Sequence, residues 1–405
     1  MEPLAPVGLY IHFPFCVSLC PYCDFVVVAG NAARGPANRI EALLTAVHTE
    51  LRLRATERPR RVPLESVYLG GGTPSLLSAT QVGALLEAVA AAVGLSDDAE
   101  VTLEANPGAD EIGDLAGFRA AGVNRLSIGA QSLDDGELKR LGRRHRAADV
   151  GAAVMSARAA GLGSVSLDLL TDVPGQTIDS WRASLSAALE LQPQHLSVYT
   201  LALDDPDAEG LTGAEGDHLP LSRGARNWRT RARAEQSEER AAEMELLTDE
   251  LAENAGLRRY EIANLARPGF ESRHNQLYWR RRPYLALGPG AHASDGLRRR
   301  TWNAARLDGY LEALQHDRLP PGGSEDVDEA TVLAERAILG LRLREGIAQQ
   351  LAEEPGLAPA LRWARGVGLI ETAAGRVRLT PSGRLLANEV FARLLPESAG
   401  SRSGA

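Results

Sequence analysis

Cysteine is scarce in this chain, and its few copies do not resemble a disulfide framework. The 405 residues contain three cysteines, an odd number, all between positions 16 and 23. The sequence has no run of about 18 apolar residues that could cross a membrane, and its N-terminus has neither the basic nor the apolar segment of a signal peptide. These absences predict a cytoplasmic protein without structural disulfides.

Positive charge is also in deficit. The formal net charge is −9 and the pI is near 5.5, which argues against a general nucleic-acid binder. The hydrophobic share of 44% and the charged share of 24% are those of an ordinary globular protein. A chain of 405 residues is long enough for two or three domains, or for a barrel with an appendage.

The three cysteines form the pattern C-x3-C-x2-C at Cys16, Cys20 and Cys23. Three thiolates on one loop can bind three irons of a [4Fe–4S] cluster and leave the fourth iron open to a substrate or cofactor. One alternative is a zinc site with His12 as the fourth ligand. Another is a set of three buried, apolar cysteines. The spacing alone therefore predicts a metal or cluster site.

Short β-branched runs alternate with amphipathic stretches in the first half of the chain. The predicted strands are 8–13, 64–69, 100–103, 124–128, 164–169 and 195–201. The predicted helices are 40–54, 80–93, 113–121, 148–160 and 180–191. This alternation predicts a parallel sheet, and six units are too few for a closed eight-stranded barrel. We therefore expect an α/β fold with a partial (β/α)6 barrel of the TIM type.

Polar residues follow these strands, and in parallel barrels the functional site lies at the carboxyl ends of the strands. The candidates are the cysteine loop, Gly70-Gly71-Gly72-Thr73-Pro74, Glu104, Asn106, Gln131, Ser132, Asp168 and Tyr199. The glycines allow a ligand to approach the backbone, or form a tight turn. Arg143 can pair with a carboxylate, and Asp168 can accept hydrogen bonds from a ribose. Tyr10 and His12 share one face of the first strand and either line the site or fill the barrel.

The second half of the chain departs from the alternation. Residues 204–240 are rich in Asp, Gly and Arg and predict a long surface insertion. A helix over 246–256 follows, and then a glycine-rich strand and loop over 285–292 that can approach a ligand or the cluster.

A linker signal, Pro320-Pro321-Gly322-Gly323, predicts a domain boundary. Residues 1–318 would form the barrel domain and its extension, and residues 319–396 a small α+β, winged-helix-like domain. That domain has predicted helices over 329–343, 358–367 and 381–395 and a hairpin around Gly375. The tail 397–405 is predicted to be disordered.

The segment HNQLYW, residues 274–279, combines a histidine with aromatic residues. In a helix, His274 and Tyr278 lie one turn apart on one face. Imidazole is a suitable axial ligand of haem iron, and Tyr278 and Trp279 offer flat apolar surface. A structural histidine beside core aromatics is the alternative, which this chemistry alone favours. Arginine groups at 223–233, 280–282 and 298–300 predict solvated faces, or a patch for haem propionates or an acidic partner.

A series of motifs extends from Tyr10 to about Leu395. They are YIHFPFCVSLCPYCDF, YLGGGTPSLL, VTLEANPG, GVNRLSIGAQS, LKRLGRRH, SLDLLTDVPGQT, RYEIANLARPG, RHNQLYW and LGPGAHA. In this order they resemble the oxygen-independent coproporphyrinogen III oxidase family of radical S-adenosylmethionine (SAM) proteins. The resemblance implies that Cys16, Cys20 and Cys23 hold a [4Fe–4S] cluster, whose open iron takes the amino and carboxylate groups of SAM. In that superfamily, an electron from the cluster cleaves SAM to methionine and a 5′-deoxyadenosyl radical.

The resemblance also assigns the SAM contacts. They are Tyr10, Tyr22, Gly71, Gly72, Thr73, Glu104, Gln131, Arg143 and Asp168. Two departures from the family pattern stand out. The family's Gly-Leu-Pro-Gly-Gln turn is Asp172-Val173-Pro174-Gly175-Gln176 here, and the insertion at 204–240 is unusual.

Three features separate two branches of this family. The decarboxylating oxidases have a fourth cysteine where this chain has Phe25, and a longer segment before the cysteine loop. The HNxxYW motif is typical of the haem-chaperone branch, which implies haem binding by His274 with Tyr278 and Trp279.

The implied function is delivery of haem, as cargo, to haem-requiring apoproteins such as respiratory enzymes. This function also implies an electron donor and peripheral membrane association through partners. We expect the protein to be a monomer or a dimer. The alternatives are oxidative decarboxylation of coproporphyrinogen III propionates to vinyl groups, a tRNA-modifying radical SAM enzyme, and a zinc-binding structural protein. A methylthiotransferase would need a second cysteine set, which the sequence lacks.

Overall fold

A computed structural model describes residues 5–29, 38–56 and 62–396, so the predicted disordered tail lies outside the described residues. The strands of the first half are β1 (Gly8–Phe13), β2 (Phe15–Cys16), β3 (Val28–Ala29), β4 (Leu64–Gly71), β5 (Leu95–Ala105), β6 (Arg125–Gln131), β7 (Ser164–Thr171) and β8 (His195–Thr200). The helices between them are α1 (Asn38–Thr56), α2 (Ala79–Val93), α3 (Leu115–Ala120), α4 (Asp135–Arg140), α5 (Ala147–Ala159) and α6 (Ile178–Glu190). Strands and helices alternate as predicted.

The second half adds shorter elements. Its strands are β9 (Arg258–Arg259), β10 (Asn264–Ala266), β11 (Tyr284–Leu287), β12 (His292–Ser294), β13 (Arg299–Asn303), β14 (Gly322–Asp326), β15 (Ile347–Ala348), β16 (Ile370–Ala373) and β17 (Arg376–Leu379). Its helices are α7 (Arg223–Arg233), α8 (Glu238–Asn254), α9 (Arg273–Trp279), α10 (Leu307–Gln315), α11 (Glu329–Arg342), α12 (Gln349–Ala352), α13 (Ala358–Gly366), α14 (Pro381–Leu385) and α15 (Ala387–Leu394).

One large sheet organises the barrel. Its order is β14-β13-β12-β11-β1-β4-β5-β6-β7-β8-β10-β9. The run from β1 through β4 to β8 is parallel, as the partial (β/α)6 barrel requires, and β11 adds a parallel strand on the other side of β1. The flanking strands are antiparallel. The fold class is therefore the predicted one, with a wider sheet.

Local sequence explains where the barrel helices begin. Ser78 and Gln81 form a reciprocal capping box at the start of α2, and Thr177 with Ser180 forms another at α6. The inner faces of these helices pack on the sheet in one continuous apolar core. Within that core Trp181 is fully buried, and its indole N–H donates to the Met244 carbonyl at 3.1 Å, which joins α6 to α8.

The C-terminal part has a small core of its own, formed by α11, α12, α13, α15 and the antiparallel sheet β15-β17-β16. The β16–β17 hairpin lies around Gly375, as expected. The predicted helix over 381–395 is instead two helices, α14 and α15, because Leu386 turns the chain between them. The boundary near residue 319 stays a prediction.

Three other expectations need correction. Strand β5 begins at Leu95 rather than at residue 100. The residues after Leu95 are polar and do not show a strand pattern, but they are extended because this segment pairs with β4 across a register shift. Asp168 lies within β7 and not at its end. The helix expected over 246–256 begins at Glu238, where the Ser237 side chain caps its first turn.

The insertion also differs from the prediction of a plain surface excursion. It contains helix α7, and the start of α8 lies within it. The arginines at 280–282 and 298–300 are ion-paired rather than simply solvated, since Arg281 and Arg300 both contact Glu335 of α11 at 3.0 and 2.6 Å.

Asp172 explains the departure from the family's glycine turn. Its φ is 56°, in the left-handed region that glycine adopts without strain and that aspartate tolerates better than most residues. Its carboxylate accepts hydrogen bonds from the Ser237 N–H at 3.1 Å and from the Arg240 guanidinium at 2.5 Å. The aspartate therefore joins the end of β7 to the start of α8.

Among the helices of the described residues, none combines the length and the apolar character that a membrane crossing requires.

Candidate functional site

The cysteine loop follows β1 at the carboxyl ends of the barrel strands. The short parallel pair β2 and β3 closes its base, and all three cysteines are free thiols with partly buried side chains. The Thr73 hydroxyl donates to Cys16 Sγ at 3.2 Å, and the Arg143 guanidinium donates to Cys20 Sγ at 3.6 Å. A residue that follows β4 and a residue that follows α4 thus contact the cysteine sulfurs.

The donor set fits an iron–sulfur cluster better than a single metal ion. Within residues 5–29, 38–56 and 62–396, no three His, Cys, Asp or Glu side chains converge closely enough to hold one ion. His12 is not available as a fourth ligand, because Nδ1 accepts from the Tyr10 hydroxyl at 2.9 Å and Nε2 donates to the Val26 carbonyl at 2.7 Å. Three thiols on one loop suit a cluster with one open iron.

Burial controls the protonation of these thiols. It raises the pKa of Cys16 to about 11 and that of Cys23 to about 12. Both are therefore neutral at pH 7 in the metal-free protein. Because metals bind thiolates, loading of the loop must release protons.

The glycines around the loop serve close packing. A Cβ on Gly72 would lie 2.7 Å from the carbonyl oxygens of Phe13 and Phe15, and one on Gly71, whose φ is 106°, would lie 2.4 Å from the His12 ring. In the predicted glycine-rich loop over 285–292, a Cβ on Gly288 would lie 2.4 Å from the His12 carbonyl. These segments approach the backbone that enters the cysteine loop.

A hydrogen-bond network joins the ends of β4 and β5 to β6 and to the loop after α4. Asn106 Nδ2 donates to the Thr73 hydroxyl at 3.0 Å, and Arg143 donates to Asn106 Oδ1 at 2.5 Å and to the Gly129 carbonyl at 2.8 Å. Gln131, at a φ of 65°, borders the same Gly129 backbone. The predicted residues Thr73, Gln131 and Arg143 are therefore neighbours.

Two predicted carboxylates lie deeper in the barrel. Glu104 accepts from the Tyr68 hydroxyl at 2.7 Å and from the Gly71 N–H at 2.9 Å. Asp168 accepts from the Ser127 hydroxyl at 3.0 Å. Burial raises the pKa of both groups, that of Glu104 to about 7. The Tyr10 ring lies beside the Tyr68 ring on the same inner surface, tilted by 34° with 6.1 Å between ring centroids.

The HNQLYW segment forms helix α9, and its histidine faces the barrel rather than solvent. His274 is 1% exposed; Nδ1 lies 2.8 Å from the Ser66 hydroxyl and Nε2 lies 2.7 Å from the Tyr278 hydroxyl. Burial lowers the pKa of His274 to about 3, so the ring is neutral. In this conformation neither ring nitrogen is free to bind iron.

Of the other members of the predicted site, Tyr22 adjoins the network through Cys20 and Arg143, whereas Trp279, Ser132 and Tyr199 lie apart from it. The Tyr22 ring lies beside Trp228 of α7, with 6.4 Å between ring centroids. The Arg342 guanidinium lies over the Trp279 ring at 4.1 Å, which places Trp279 between the barrel and α11. The Ser132 hydroxyl donates to the buried Glu137 carboxylate at 2.6 Å. Tyr199 is 44% exposed near the end of β8.

Arg229 of α7 holds the cysteine loop by its main chain. Its guanidinium donates to the carbonyls of Pro21 at 3.2 Å and of Tyr22 and Cys23 at 3.0 Å, and it pairs with the Asp24 carboxylate. The side chain is 4% exposed. The prediction of a solvated arginine face over 223–233 is wrong at this position, because the insertion folds over the loop.

Sequence comparison with known proteins identifies the family of this chain. The Radical SAM superfamily profile matches residues 10–188, and the HemN C-terminal domain profile matches residues 327–386. The heme chaperone HemW of Bacillus subtilis is 32% identical over 397 residues, which cover 96% of this chain and 99% of that protein. The heme chaperone HemW of Escherichia coli is 33% identical over 407 residues, covering 98% and 100%. This chain belongs to the HemW family of radical SAM proteins.

A solved structure agrees on the fold. The coproporphyrinogen III oxidase HemN of Escherichia coli, described as a radical SAM enzyme, superposes with a TM-score of 0.78. The match covers 97% of this chain and 91% of that chain at 22% identity. Membership of the radical SAM superfamily implies a [4Fe–4S] cluster and SAM.

Sequence reasoning missed two features of this HemW-family site. Tyr68 was not singled out, although it contacts Glu104 and lies two residues before the glycine motif. Arg229 was treated as part of a charged face. A signal for it exists, since Ala225, Arg229 and Ala232 recur at helical spacing and are all buried.

We predict that Arg229→Gln loosens the cysteine loop. The substitution removes a charged donor that binds three carbonyls, and hydrogen bonds to charged groups contribute about 1.5 to 3 kcal/mol each. Amide hydrogen exchange in residues 19–25 of the metal-free protein should accelerate by about tenfold or more, and iron retained after anaerobic reconstitution should fall. The control is Arg226→Gln on the same helix, whose side chain is 47% exposed. Equal exchange in both variants would contradict the anchoring role.

A second prediction concerns the pH dependence contributed by Glu104. Its folded pKa of about 7 lies above the ordinary glutamate value of 4.5, so the folded state holds its proton more tightly than the unfolded state. The stabilisation by the bound proton is present below the unfolded pKa and is lost as pH rises through the folded one. As pH rises from about 4.5 to about 7, wild type loses this stabilisation and Glu104→Gln does not. The melting temperature of the metal-free variant minus that of wild type should therefore increase over this range and stay constant above it. A difference that does not vary with pH would refute the assignment.

The buried position of His274 predicts a large cost for His274→Ala. The change leaves the Ser66 and Tyr278 hydroxyls without their partner and opens a cavity in the floor of the barrel, so the free energy of unfolding should fall by about 2 to 4 kcal/mol. Denaturant unfolding of the metal-free protein measures this. Gln276→Ala, on the outer side of the same helix, should change it by less than about 0.5 kcal/mol. Equal effects would place His274 outside the core.

Proposed function

We propose that this chain binds haem and delivers it to haem-requiring apoproteins, as a haem chaperone that carries a radical SAM site. The supporting observation is similarity to proteins named heme chaperone HemW over nearly the whole chain, 97% of it at 35% identity for the protein of Mycobacterium tuberculosis. A similarity that extends through both the barrel and the C-terminal unit favours a shared function rather than a shared cofactor domain.

The proposal assigns Cys16, Cys20 and Cys23 to the cluster. When bound, the cluster and SAM would supply one-electron chemistry at the mouth of the barrel. The chain's own contribution is positioning. Thr73 and Arg143 donate hydrogen bonds to the sulfurs of Cys16 and Cys20 at 3.2 and 3.6 Å, which orients these two ligands on the loop.

The proposed SAM contacts line the wall beside the cysteine loop. Gly71, Gly72 and Thr73 enter from β4, with Gln131 and Arg143 across the network and Tyr22 on the loop itself. Glu104, Asp168 and Tyr10 supply carboxylate and hydroxyl groups further inside. An ammonium group of SAM suits the ionised form of Glu104, and a ribose suits the acceptor Asp168.

Haem ligation by His274 is part of the proposal and requires a local change. The imidazole is neutral, as an iron ligand must be, but both nitrogens are engaged in the closed floor of the barrel. Iron could bind only after the Ser66 or the Tyr278 hydroxyl moves away. Tyr278 and Trp279 would then offer aromatic surface to the porphyrin.

The second candidate is oxidative decarboxylation of coproporphyrinogen III. It is favoured by one observation, the fold shared with HemN at a TM-score of 0.78, and the sequence identity of 22% limits that observation to fold. Phe25, which replaces the fourth cysteine of the decarboxylating branch, is 68% exposed beside the cysteine loop. This position supports the chaperone over the enzyme.

The deciding experiment reconstitutes the protein anaerobically with iron and sulfide and titrates it with haem. We expect about four irons per chain, stoichiometric haem uptake and transfer to an apo-haemoprotein. Tyr278→Phe frees Nε2 of His274 and should keep or strengthen the Soret band, whereas His274→Ala should weaken or shift it. Incubation with coproporphyrinogen III, SAM and a reductant should yield no vinyl product. Vinyl product without haem uptake would establish the enzyme instead.

A further inference from the structure

The described strands do not close the barrel. The large sheet ends at β14 on one side and at β9 on the other, and the parallel run within it extends from β11 to β8. In parallel barrels, ligands bind at the carboxyl ends of the strands. Since no parallel strand of the described residues joins β8 to β11, the segment that follows β8 determines how open the barrel mouth is on that side.

Residues 204–222, the first half of the insertion, cross from the end of β8 to the β11 side of the sheet. We call them the strap. The Trp302 indole N–H donates to the Glu215 carbonyl at 3.2 Å, and the Ala305 N–H donates to the Gly216 carbonyl at 2.9 Å. Trp302 lies on β13, in the antiparallel flank that adjoins β11. The strap therefore connects the two ends of the parallel run at the mouth of the barrel.

A carboxylate shared by two imidazoles fastens the strap to the sheet. Asp217 Oδ1 lies 2.9 Å from His218 Nδ1, and Asp217 Oδ2 lies 2.8 Å from His292 Nε2. His292 belongs to β12, and its ring stacks on Trp302 with 6.0 Å between centroids and 21° between planes. A neutral imidazole can donate to a carboxylate from one nitrogen. We call the contact between Asp217 and His292 the latch.

The latch lies against the chain that leaves the cysteine loop. A Cβ on Gly290, whose φ is 71°, would lie 2.5 Å from Val26 Cγ2 and 3.2 Å from the Asp217 carbonyl oxygen. The Gly290 backbone is thus enclosed between the strap and Val26, which follows Cys23 by three residues. A movement of the strap away from the sheet would uncover this side of the cysteine loop.

The strap is held by polar contacts more than by apolar packing. The structure describes all of its residues, and Pro206 is the one among them that is buried. Both latch side chains reach the surface, Asp217 at 16% exposure and His292 at 47%. By contrast, α7, which follows the strap, buries Ala225 and Arg229. A segment with few buried apolar contacts opens at a lower free energy than the core around it.

We propose that the strap is a gate for SAM. It covers the open side of the barrel mouth while Asp217 contacts His292, and it opens at this latch to admit SAM to the cysteine loop. Helix α7 keeps its position, so Arg229 still anchors the loop while the strap moves. This inference rests on the cluster and the SAM site of the proposed function and does not depend on haem delivery. A gate alters the rates at which a ligand enters and leaves.

The first test measures opening of the strap in the metal-free protein. Asp217→Ala removes the acceptor of both imidazoles, so amide hydrogen exchange in residues 205–222 and at Ala305 should accelerate by about tenfold or more. Exchange in residues 19–25 should stay as in wild type, because Arg229 is unchanged. The control is Glu209→Ala, an exposed carboxylate of the strap whose side chain has no partner among the described residues. Equal exchange in wild type and Asp217→Ala would overturn the latch.

The second test measures passage of radiolabelled SAM by rapid filtration, with the full chain and its cluster loaded anaerobically. Asp217→Ala should raise the association and dissociation rate constants about equally, by about tenfold, and leave the dissociation constant nearly unchanged. Glu209→Ala should behave as wild type. Trp302→Phe, which removes the donor to the Glu215 carbonyl, should raise both rate constants as well, and melting temperatures show whether each variant is folded.

The outcomes distinguish the gate from the proposed function. Unchanged rate constants in Asp217→Ala and Trp302→Phe would refute the gate and leave the radical SAM site standing. Weaker SAM binding without faster association would also refute it, since Asp217 would then act as a binding residue. If wild type holds a cluster and binds no SAM, the proposed SAM site fails and the gate fails with it. A failure of haem uptake alone would refute the chaperone function and not the gate.

Discussion

The hydrogen bonds from Arg229 to the main chain of the cysteine loop are the constraint on which the site depends. The loop has almost no regular structure beyond the β2–β3 pair, so its carbonyls have no strand or helix partner. Arg229 supplies the partner from a helix 208 residues later than Pro21. The same side chain pairs with Asp24, which offsets the cost of burying its charge. The insertion therefore contributes a residue that holds the cysteine loop in place.

A second connection ties the insertion to the barrel. Asp172 adopts a left-handed conformation at the end of β7, where glycine would be unstrained. Its contacts with Ser237 and Arg240 offset that strain and set the start of α8. The chain departs from the family pattern in two ways, with Asp172 in place of the glycine and with the insertion. The two departures are physically connected, because Asp172 finds its partners on the helix that begins at the end of the insertion.

Much of the barrel could be predicted from sequence, because each central strand is a dense apolar run and each following helix has a periodic apolar face. The start of β5 could not, since Leu95–Ala105 opens with polar residues whose extended shape comes from pairing with β4. The position of His274 could not either. Its partner Ser66 lies 208 residues away in the chain, and the local pattern of HNQLYW is the same for a surface ligand and for a buried histidine. In both cases, contacts between residues far apart in the chain determine the local structure.

The order of strands in the sheet has a consequence for synthesis on the ribosome. The first strand, β1, is a central strand, paired with β4 on one side and with β11 on the other. The buried carboxylate of Glu50 pairs with Arg54 on the same helix at 2.7 Å, but its other partners come late in the chain, at Gly288, Asn303 and Tyr310. An emerging chain therefore leaves one edge of β1 unpaired, and the Glu50 carboxylate without these three partners, until those residues leave the exit tunnel. Pairings of such long sequence separation form slowly, so the cysteine loop that follows β1 reaches its final surroundings only after most of the chain has been synthesised.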